Sequence, residues 1–538
     1  MRADGAREGL RQAMAWLHTW VGLLLGWLLF AIFLTGSLAF FKHELNHWSR
    51  PELLGHGPAA PLDAAQLAQA EARLHEAAPG AQSWRLTAAD ERRPLVQLGW
   101  REAAAAGQRA RLEQRWLDPA SGQLLKPRES FGIGEFFYRF HFELRSAQQS
   151  RWITEGRWLV GLATLFMFVA LISGVITHRR IFKDFFTFRP RAKAAQRAWL
   201  DAHNVSGVLV LPFYFLITFS GLMIMHTLYM PAGIAAVYGL KGGSYFNELA
   251  GDPLPRGRGF NAAAGEGQAL PRLGQARWEA LLAEVRREWP AGPRSRIEGV
   301  ALLREGGQTL VEFSRHEGDR LQYRSPRLIF EAESGRRLHL ADTAAPAART
   351  YGVLYGLHMA RFADWPLRWL LFGLGLLGCA MIATGLLLWS VKRAAEDDRR
   401  GLARPLGRRL VDTLNLAAIA GLPLAMAALF YANRLLPLDL AQRPDAELQV
   451  FYAAWGLSLL LAAAWPGRRG WRALFGLAGL GFAGLALLLA GPWPMQLALG
   501  VAALVLLGLA WRCGPRRGAV SSPAPTASAS LVTAGQGD

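Results

Sequence analysis

The sequence predicts a mostly α-helical, polytopic membrane protein with eight transmembrane helices. The first four form a duplicated core, with two small α+β domains inserted on its outer side. Three observations predict this. Apolar residues make up 52% of the 538 and charged ones 19%, with mean hydropathy +0.14. A soluble chain carries about a quarter charged residues, so a disordered or heavily solvated protein is excluded. Eight stretches also approach the run of about 20 apolar residues that hydrocarbon demands, and a pattern of histidines and glycines occurs twice.

The spans fall at roughly 16–41, 155–178, 200–228 and 367–391, followed closely by 412–432, 449–466, 472–491 and 493–511. Lysines and arginines in the flanks set the orientation. Arg2, Arg7 and Arg11 precede the first span. HRRIFKDFFTFRPRAKAAQR joins spans two and three, KRAAEDDRRGLARPLGRR follows span four, and each holds seven basic residues. Arg468, Arg469 and Arg472 separate spans six and seven, and Arg512, Arg516 and Arg517 follow span eight. With eight spans all these segments lie on one side, so both termini are expected in the cytoplasm. The net charge of +19 is then a topology signal, and nucleic acid is not an expected partner. The first span is too long for a signal peptide and lacks a convincing cleavage site, so it reads as a retained anchor.

The loops at about 44–150 and 229–355 are too polar for the bilayer and too long to be mere connections. Each opens on an amphipathic helical pattern, LDAAQLAQAEARLHEAAP or RWEALLAEVRREWP, and continues into strand-like segments. In the first loop these are SWRLTA, RPLVQLGW and RLEQRWLDPASGQLL; in the second, SRIEGVALL, QTLVEFSR and PRLIFEAESGRRLHL. The expected organisation is a tail and first span (1–43), a first outer domain (44–150), spans two and three (151–228), a second outer domain (229–355), span four (356–393) and a basic linker (394–411). A four-helix extension (412–513) and a disordered tail (514–538) complete it.

The helices carry the same duplication. His18-x3-Gly22 with Thr35-Gly36 in span one matches His203-x3-Gly207 with Ser220-Gly221 in span three, each 18 residues from histidine to second glycine. His141 precedes span two, which ends near Ser173-Gly174; His358 precedes span four, which ends near Thr384-Gly385. A pseudo-two-fold axis would set His18 opposite His203 at the inner level and His141 opposite His358 at the outer level. A lone interfacial histidine is usually a packing or hydrogen-bonding residue, but repeat-related pairs point to a shared ligand.

Two neutral imidazoles facing each other across a helical bundle suit the two axial positions of a b-type haem. Two haems b, with iron held by His18, His203, His141 and His358, are the expected cofactors. Gly22 and Gly207 are candidates for packing against the porphyrin, although glycine at this spacing equally promotes helix contact. Arg145 and Arg361 are candidates for the propionates, with interfacial anchoring the competing role. His43, His226 and His178 are alternative ligands. Zinc, the main rival, wants three or four ligands, and no cysteine or histidine–carboxylate cluster supplies them. Cys379 and Cys513 cannot build a Cys-rich cluster either.

On WLHTWVGLLLGWLLFAIFLTGSLAFFKHEL, DAHNVSGVLVLPFYFLITFSGLM and LYGLHMARFADWPLRWLLFGLGLLGCAMIATGLLLWSVKR, the chain resembles the PepSY-associated transmembrane family over about residues 10–395. The resemblance implies that the outer domains are PepSY-like. It also implies kinship with iron-regulated inner-membrane proteins, among them di-haem ferric-siderophore reductases. The family's helix-start histidines match His18 and His203, and its outer-side histidines match His141 and His358. His178 departs from the repeat, its counterpart lying near Trp389. Two of the four helices have Ser where many relatives have Thr, and the last four spans lie outside the resemblance.

The expected activity is transmembrane electron transfer that reduces a ferric siderophore or other ferric chelate for iron acquisition. No nucleotide-binding fingerprint is present, so the donor is expected to be a quinol, a reductase or a diffusible reductant. The alternative is a haem-free membrane scaffold whose PepSY-like domains bind or regulate an envelope peptidase or other partner. A transporter ranks third, since no charged residue lies mid-span in the first four helices to couple an ion.

Overall fold

The structure, a computed structural model, describes residues 9–57, 62–101, 112–118, 120–144, 156–178, 189, 195–239, 245, 269–292, 295–305, 307–341 and 345–514. Arg145, nearly all of the basic loop from 179 to 194, and the tail beyond 514 lie outside the described residues.

The first half contributes α1 (Leu10–Ala39), α2 (Lys42–Trp48), α3 (Ala64–Ala77), β1 (Ser83–Thr87), β2 (Val96–Arg101), β3 (Leu112–Leu117), β4 (Leu124–Leu125), α4 (Ile133–Glu143) and α5 (Gly156–Thr177). The second contributes α6 (Ala195–Leu209), α7 (Leu211–Ile224), α8 (Gly274–Glu288), β5 (Ile297–Glu305), β6 (Gln308–Arg315), β7 (Arg327–Glu331), β8 (Arg337–Ala341), α9 (Pro346–Met359) and α10 (Trp365–Arg399). The extension is α11 (Leu406–Leu435), α12 (Arg443–Ala464), α13 (Arg468–Leu488) and α14 (Trp493–Arg512).

Seven helices are long and apolar enough to cross a membrane: α1, α5, α10, α11, α12, α13 and α14. The third sequence-predicted span is instead the pair α6 and α7, which passes the same test only jointly and bends by 68° between the two. Pro212, in the first turn of α7, supplies the cause. It has no N–H for the helical hydrogen bond and its ring crowds the carbonyl one turn back.

In the membrane core α1 packs on α4, α5 and α10, α6 packs on α10, and α7 packs on α5 and α9. The extension is joined to this core by polar contacts. Trp27 Nε1 donates to Asn415 Oδ1 at 2.7 Å, and Asn415 Nδ2 donates to Ser390 Oγ at 3.0 Å.

The two outer segments were expected as separate domains. They share one eight-stranded sheet of order β4-β3-β2-β1-β5-β6-β7-β8. The join is β1 against β5, antiparallel, in register from Ser83↔Leu303 to Thr87↔Gly299. Each half alone would leave its first strand as an open edge, and pairing the two edges satisfies both. One core covers the shared face: Leu67 and Leu74 of α3, Trp278 and Val285 of α8, and Trp84, Leu98, Val300 and Phe313 of the strands are all buried. Glu71 of α3 fastens the two helices by accepting from Leu273 N (2.8 Å), Gly274 N (2.9 Å) and Trp278 Nε1 (3.2 Å). A carboxylate there satisfies orphan amides at the N-terminus of α8 and sits favourably at its positive end.

The sheet is anchored to the helices through the β1–β2 loop. Arg92 donates to both carboxylate oxygens of Glu44 (3.1 and 3.2 Å) and to the Phe40 carbonyl (2.8 Å). Arg368, buried at the start of α10, pairs with the same Glu44.

Candidate functional site

The fold brings two pairs of histidines together. The ring centres of His18 (α1) and His203 (α6) are 6.0 Å apart, and those of His141 (α4) and His358 (α9) are 6.1 Å apart. An imidazole–metal bond of about 2.0–2.1 Å, with about 1.2 Å from nitrogen to ring centre, puts two axial imidazoles on one metal about 6.4 Å apart. Both pairs fall within a few tenths of an ångström of that spacing.

Each ring is held by its Nδ1. His18 donates to the Ala170 carbonyl (2.9 Å), His203 to the Met381 carbonyl (2.8 Å) and His141 to the Ile32 carbonyl (2.8 Å). His358 donates to Ser220 Oγ (3.0 Å), beside the Ile217 carbonyl. A carbonyl can only accept, and the Ser220 hydroxyl spends its proton on the Leu216 carbonyl (2.6 Å), so Nδ1 carries the proton and Nε2 keeps its lone pair. Metal-ligating histidines carry the same tautomer and commonly donate their other ring N–H to a backbone carbonyl in the same way.

These contacts give the repeated Ser/Thr-Gly pairs a role that spacing alone did not reveal. Thr35, Ser173, Ser220 and Thr384 each donate to the carbonyl four residues back, at 2.6–2.8 Å. The carbonyl three residues back is the one beside the histidine: Ile32, Ala170, Ile217 or Met381. The glycine that follows lets the ring lie on the helix backbone. A Cβ would meet His141 at 2.6 Å on Gly36, His18 at 3.2 Å on Gly174, His358 at 3.2 Å on Gly221 and His203 at 3.0 Å on Gly385. In every case the glycine belongs to a different helix from its histidine. The sequence displayed both partners but not that they meet across helices.

The glycines singled out from sequence lie elsewhere. Gly22 has open space within 4 Å of a built Cβ, and at Gly207 the nearest atom is Met381 Sδ at 3.5 Å. Gly207 does line the small cavity that contains His18 and His203.

The two pairs have different surroundings. The His18/His203 cavity has a volume of about 60 Å³ and is lined chiefly by apolar residues, with His178 and Asn204 as further polar members. His141 and His358 border a cavity of about 680 Å³, inside the range of small-molecule and cofactor sites, lined below by Leu29, Ile32, Met167 and Phe213. Its upper wall carries Lys42, Arg92, Arg93, Arg157, Arg361 and Tyr138, with Glu317 the one carboxylate among the described lining residues.

The remaining candidates divide accordingly. Arg361 lines the large cavity, pairs with Glu317 at 2.5 Å and covers the Tyr323 ring at 4.5 Å. His43 lines it too, with Nε2 at 3.6 Å from Glu317. Burial raises the Glu317 carboxyl, but hydrogen bonding to His43 and the charges of Arg361, His43 and Arg93 outweigh it and hold it well below the usual carboxylate range. Burial lowers His43, and its bond to Glu317 only partly offsets this. His226 is engaged locally, donating from Nδ1 to the Met223 carbonyl at 2.7 Å and meeting the Tyr245 hydroxyl at Nε2. No group of three or more His, Cys, Asp or Glu residues forms a metal cage among the described residues.

His18 and Gly36, which touches His141, are 18 residues apart on α1. At 1.5 Å per residue the two levels are about 27 Å apart along the helix, most of the thickness of a hydrocarbon core. The arrangement is therefore two histidine pairs at opposite ends of one membrane-embedded helix bundle.

Comparison with known proteins places this bundle. The chain is 30% identical over 361 residues to an uncharacterized protein of Pseudomonas aeruginosa, an alignment covering 63% of this chain and 84% of the relative. The model of the PepSY-associated TM region matches residues 15–392, which take in both histidine pairs and the whole sheet and stop before α11. On that match, this multi-span membrane protein belongs to the PepSY-associated TM region family.

Proposed function

We propose that the protein carries electrons across the bacterial inner membrane through two haems b, one between His18 and His203 and one between His141 and His358, and reduces a ferric siderophore or related ferric chelate. The observation that carries this reading is the double coincidence of ring spacing and tautomer: 6.0 and 6.1 Å between centres, with every Nδ1 already committed. A haem bound at each pair supplies reversible one-electron chemistry. The chain's residues do the rest. The Ala170, Met381 and Ile32 carbonyls and Ser220 fix ring orientation and raise ligand basicity. The four glycines keep the backbone out of the rings' way.

The basic flanks of the spans support both termini in the cytoplasm, with α6–α7 serving as one broken span among eight. The sheet and the large cavity then face the periplasm. Lys42, Arg92, Arg93 and Arg361 would draw an anionic group, a propionate or the chelate itself, towards the His141/His358 level. The donor on the cytoplasmic side is a quinol, a reductase or a diffusible reductant.

The test is an oxidised and dithionite-reduced visible spectrum of the full-length protein in detergent, with haem quantified per chain. About two b-type haems per chain are expected, and His203→Ala and His358→Ala should each remove about one. A folded, colourless protein overturns the reading.

A further inference from the structure

The family match ends at residue 392, and α11–α14 contain no histidine. Yet they contribute Arg443, Glu447 and Asn433 to a buried polar network. Arg443, Glu447 and Asn433 are 0%, 1% and 0% exposed. Arg443 donates to Glu447 Oε1 (2.5 Å), to the Asn433 carbonyl (2.6 Å) and to the Glu129 carbonyl (2.9 Å). Asn433 Nδ2 donates to Glu447 Oε1 (2.9 Å) and to Ser130 Oγ (3.1 Å), and Ser130 Oγ donates to Glu447 Oε2 (2.7 Å). Ser130 Oγ then accepts from Gly132 N at 3.0 Å, the cap of α4.

The network thus ends on the residues that start α4, the helix of His141. The same helix lays Phe136 and Phe140 on Phe451 of α12, with ring centres 4.8 and 5.9 Å apart, and Phe137 on Phe430 of α11 at 6.3 Å. Phe136, Phe137 and Phe140 are all buried. The helix of the opposing ligand is held differently. Gly356 of α9 lies so close to the Leu321 carbonyl that a Cβ would overlap it, and Tyr323 N donates to the Gly352 carbonyl at 3.0 Å, both from the loop that follows β6.

A buried ion pair adds little stability over well-packed apolar residues, and such pairs are better attested as devices that fix register. From this asymmetry we infer that the C-terminal helices are a brace for α4, and that Arg443, Glu447 and Ser130 are positioning residues for His141. This rests on the reading of His141 and His358 as a ligand pair. The brace sets where α4 begins and which way its faces turn. His141 thereby meets Gly36 and the Ile32 carbonyl on one side and His358 on the other.

The test uses the full-length protein in detergent and two variants. Arg443→Met combined with Glu447→Met keeps buried volume without leaving an unpaired charge; Ser130→Ala removes only the link to α4. Hydrogen–deuterium exchange, which does not depend on haem, should be at least tenfold faster over 133–143 in the double variant and changed by less than twofold over 346–359. Ser130→Ala should move 133–143 in the same direction by a smaller factor. In haem-loaded protein the double variant should bind the haem that His358→Ala removes at least tenfold more weakly. The haem that His203→Ala removes should be unaffected. Equal acceleration of both peptides, no acceleration in a folded double variant, or equal weakening of both haems overturns the brace. If the double variant does not fold, Ser130→Ala decides by the same readouts. If the wild-type protein purifies without haem, the proposed function fails, and the exchange comparison by itself decides whether the extension positions α4.

Discussion

The two histidine pairs share one local construction and are delivered to it by different means. At the level remote from the sheet, His18 lies on a 30-residue helix that crosses the membrane, and His203 lies on the first arm of the bent pair. Only about 60 Å³ of space accompanies them. At the level nearest the sheet, His141 and His358 lie on the short helices α4 and α9, of 11 and 14 residues, at the edge of about 680 Å³. The 30-residue helix α1 fixes the azimuth of His18 over many turns, and the 15-residue α6 that carries His203 runs on directly into α7. A short helix has few turns, so close backbone approaches, such as Gly134 against the Lys42 carbonyl, must fix it instead. The geometry of the His141/His358 pair is therefore expected to be the more easily disturbed.

Gly36→Ala breaks the comparison most directly. In an exposed helix interior this change gains about 0.8–1 kcal/mol, but here the new Cβ would lie 2.6 Å from the His141 ring, against 3.2 Å to His18 for Gly174→Ala. Gly36→Ala should abolish haem binding at the His141/His358 level and spare the other, while Gly174→Ala should only weaken its site. Unchanged haem content in Gly36→Ala would contradict this.

Ser220→Ala comes next. Of the four paired histidines, His358 is the one whose Nδ1 donates to a side-chain hydroxyl, at 3.0 Å, whereas His203 donates to the Met381 backbone carbonyl. Losing the hydrogen-bond partner of a metal-bound imidazole costs about 10–100-fold in metal affinity, so haem titration should show that loss for Ser220→Ala and much less for Thr384→Ala. Equal losses would mean that the hydroxyl does not orient His358.

Glu317→Gln sharpens the contrast in charge. The carboxyl of Glu317 is lowered on folding, so its stabilisation is full above the unfolded value near 4.3 and fades as pH falls through the folded value. The variant should melt below the wild type at pH 7, and the gap should shrink progressively below about pH 5. A gap that widens towards acid would reverse the assigned sign.

Gly22→Ala should do least, because nothing lies within 4 Å of the added atom. Thermal stability is expected to change by no more than about 1 kcal/mol in either direction, with both haems retained. Loss of a haem would return Gly22 to the site.

Much of the fold is legible in the chain because its signals are local. Apolar runs mark α1, α5, α10 and the four helices of the extension, and the strand-like segments of the two loops reappear as β1 to β8. The third span was legible as an apolar stretch but not as a bend, although Pro212 marked the place. The histidine pairs were legible through the repeat, and the structure brings both together. Which glycines face them was not. Gly22 and Gly207 share a helix with a histidine, whereas Gly36, Gly174, Gly221 and Gly385 come from helices far away in sequence.

Composition and periodicity alone determined that the chain crosses a membrane, where its helices and strands lie and which histidines correspond. Each of these follows from the period of a single helix or strand or from matching two stretches of sequence. Only the tertiary structure decided that the two outer segments close into one sheet through β1 and β5, that each imidazole rests on a neighbour's glycine, and that Arg443 reaches the Glu129 carbonyl and Glu447 reaches Ser130. Those outcomes depend on which open edge or buried polar group finds a partner hundreds of residues away, and no local period records that choice.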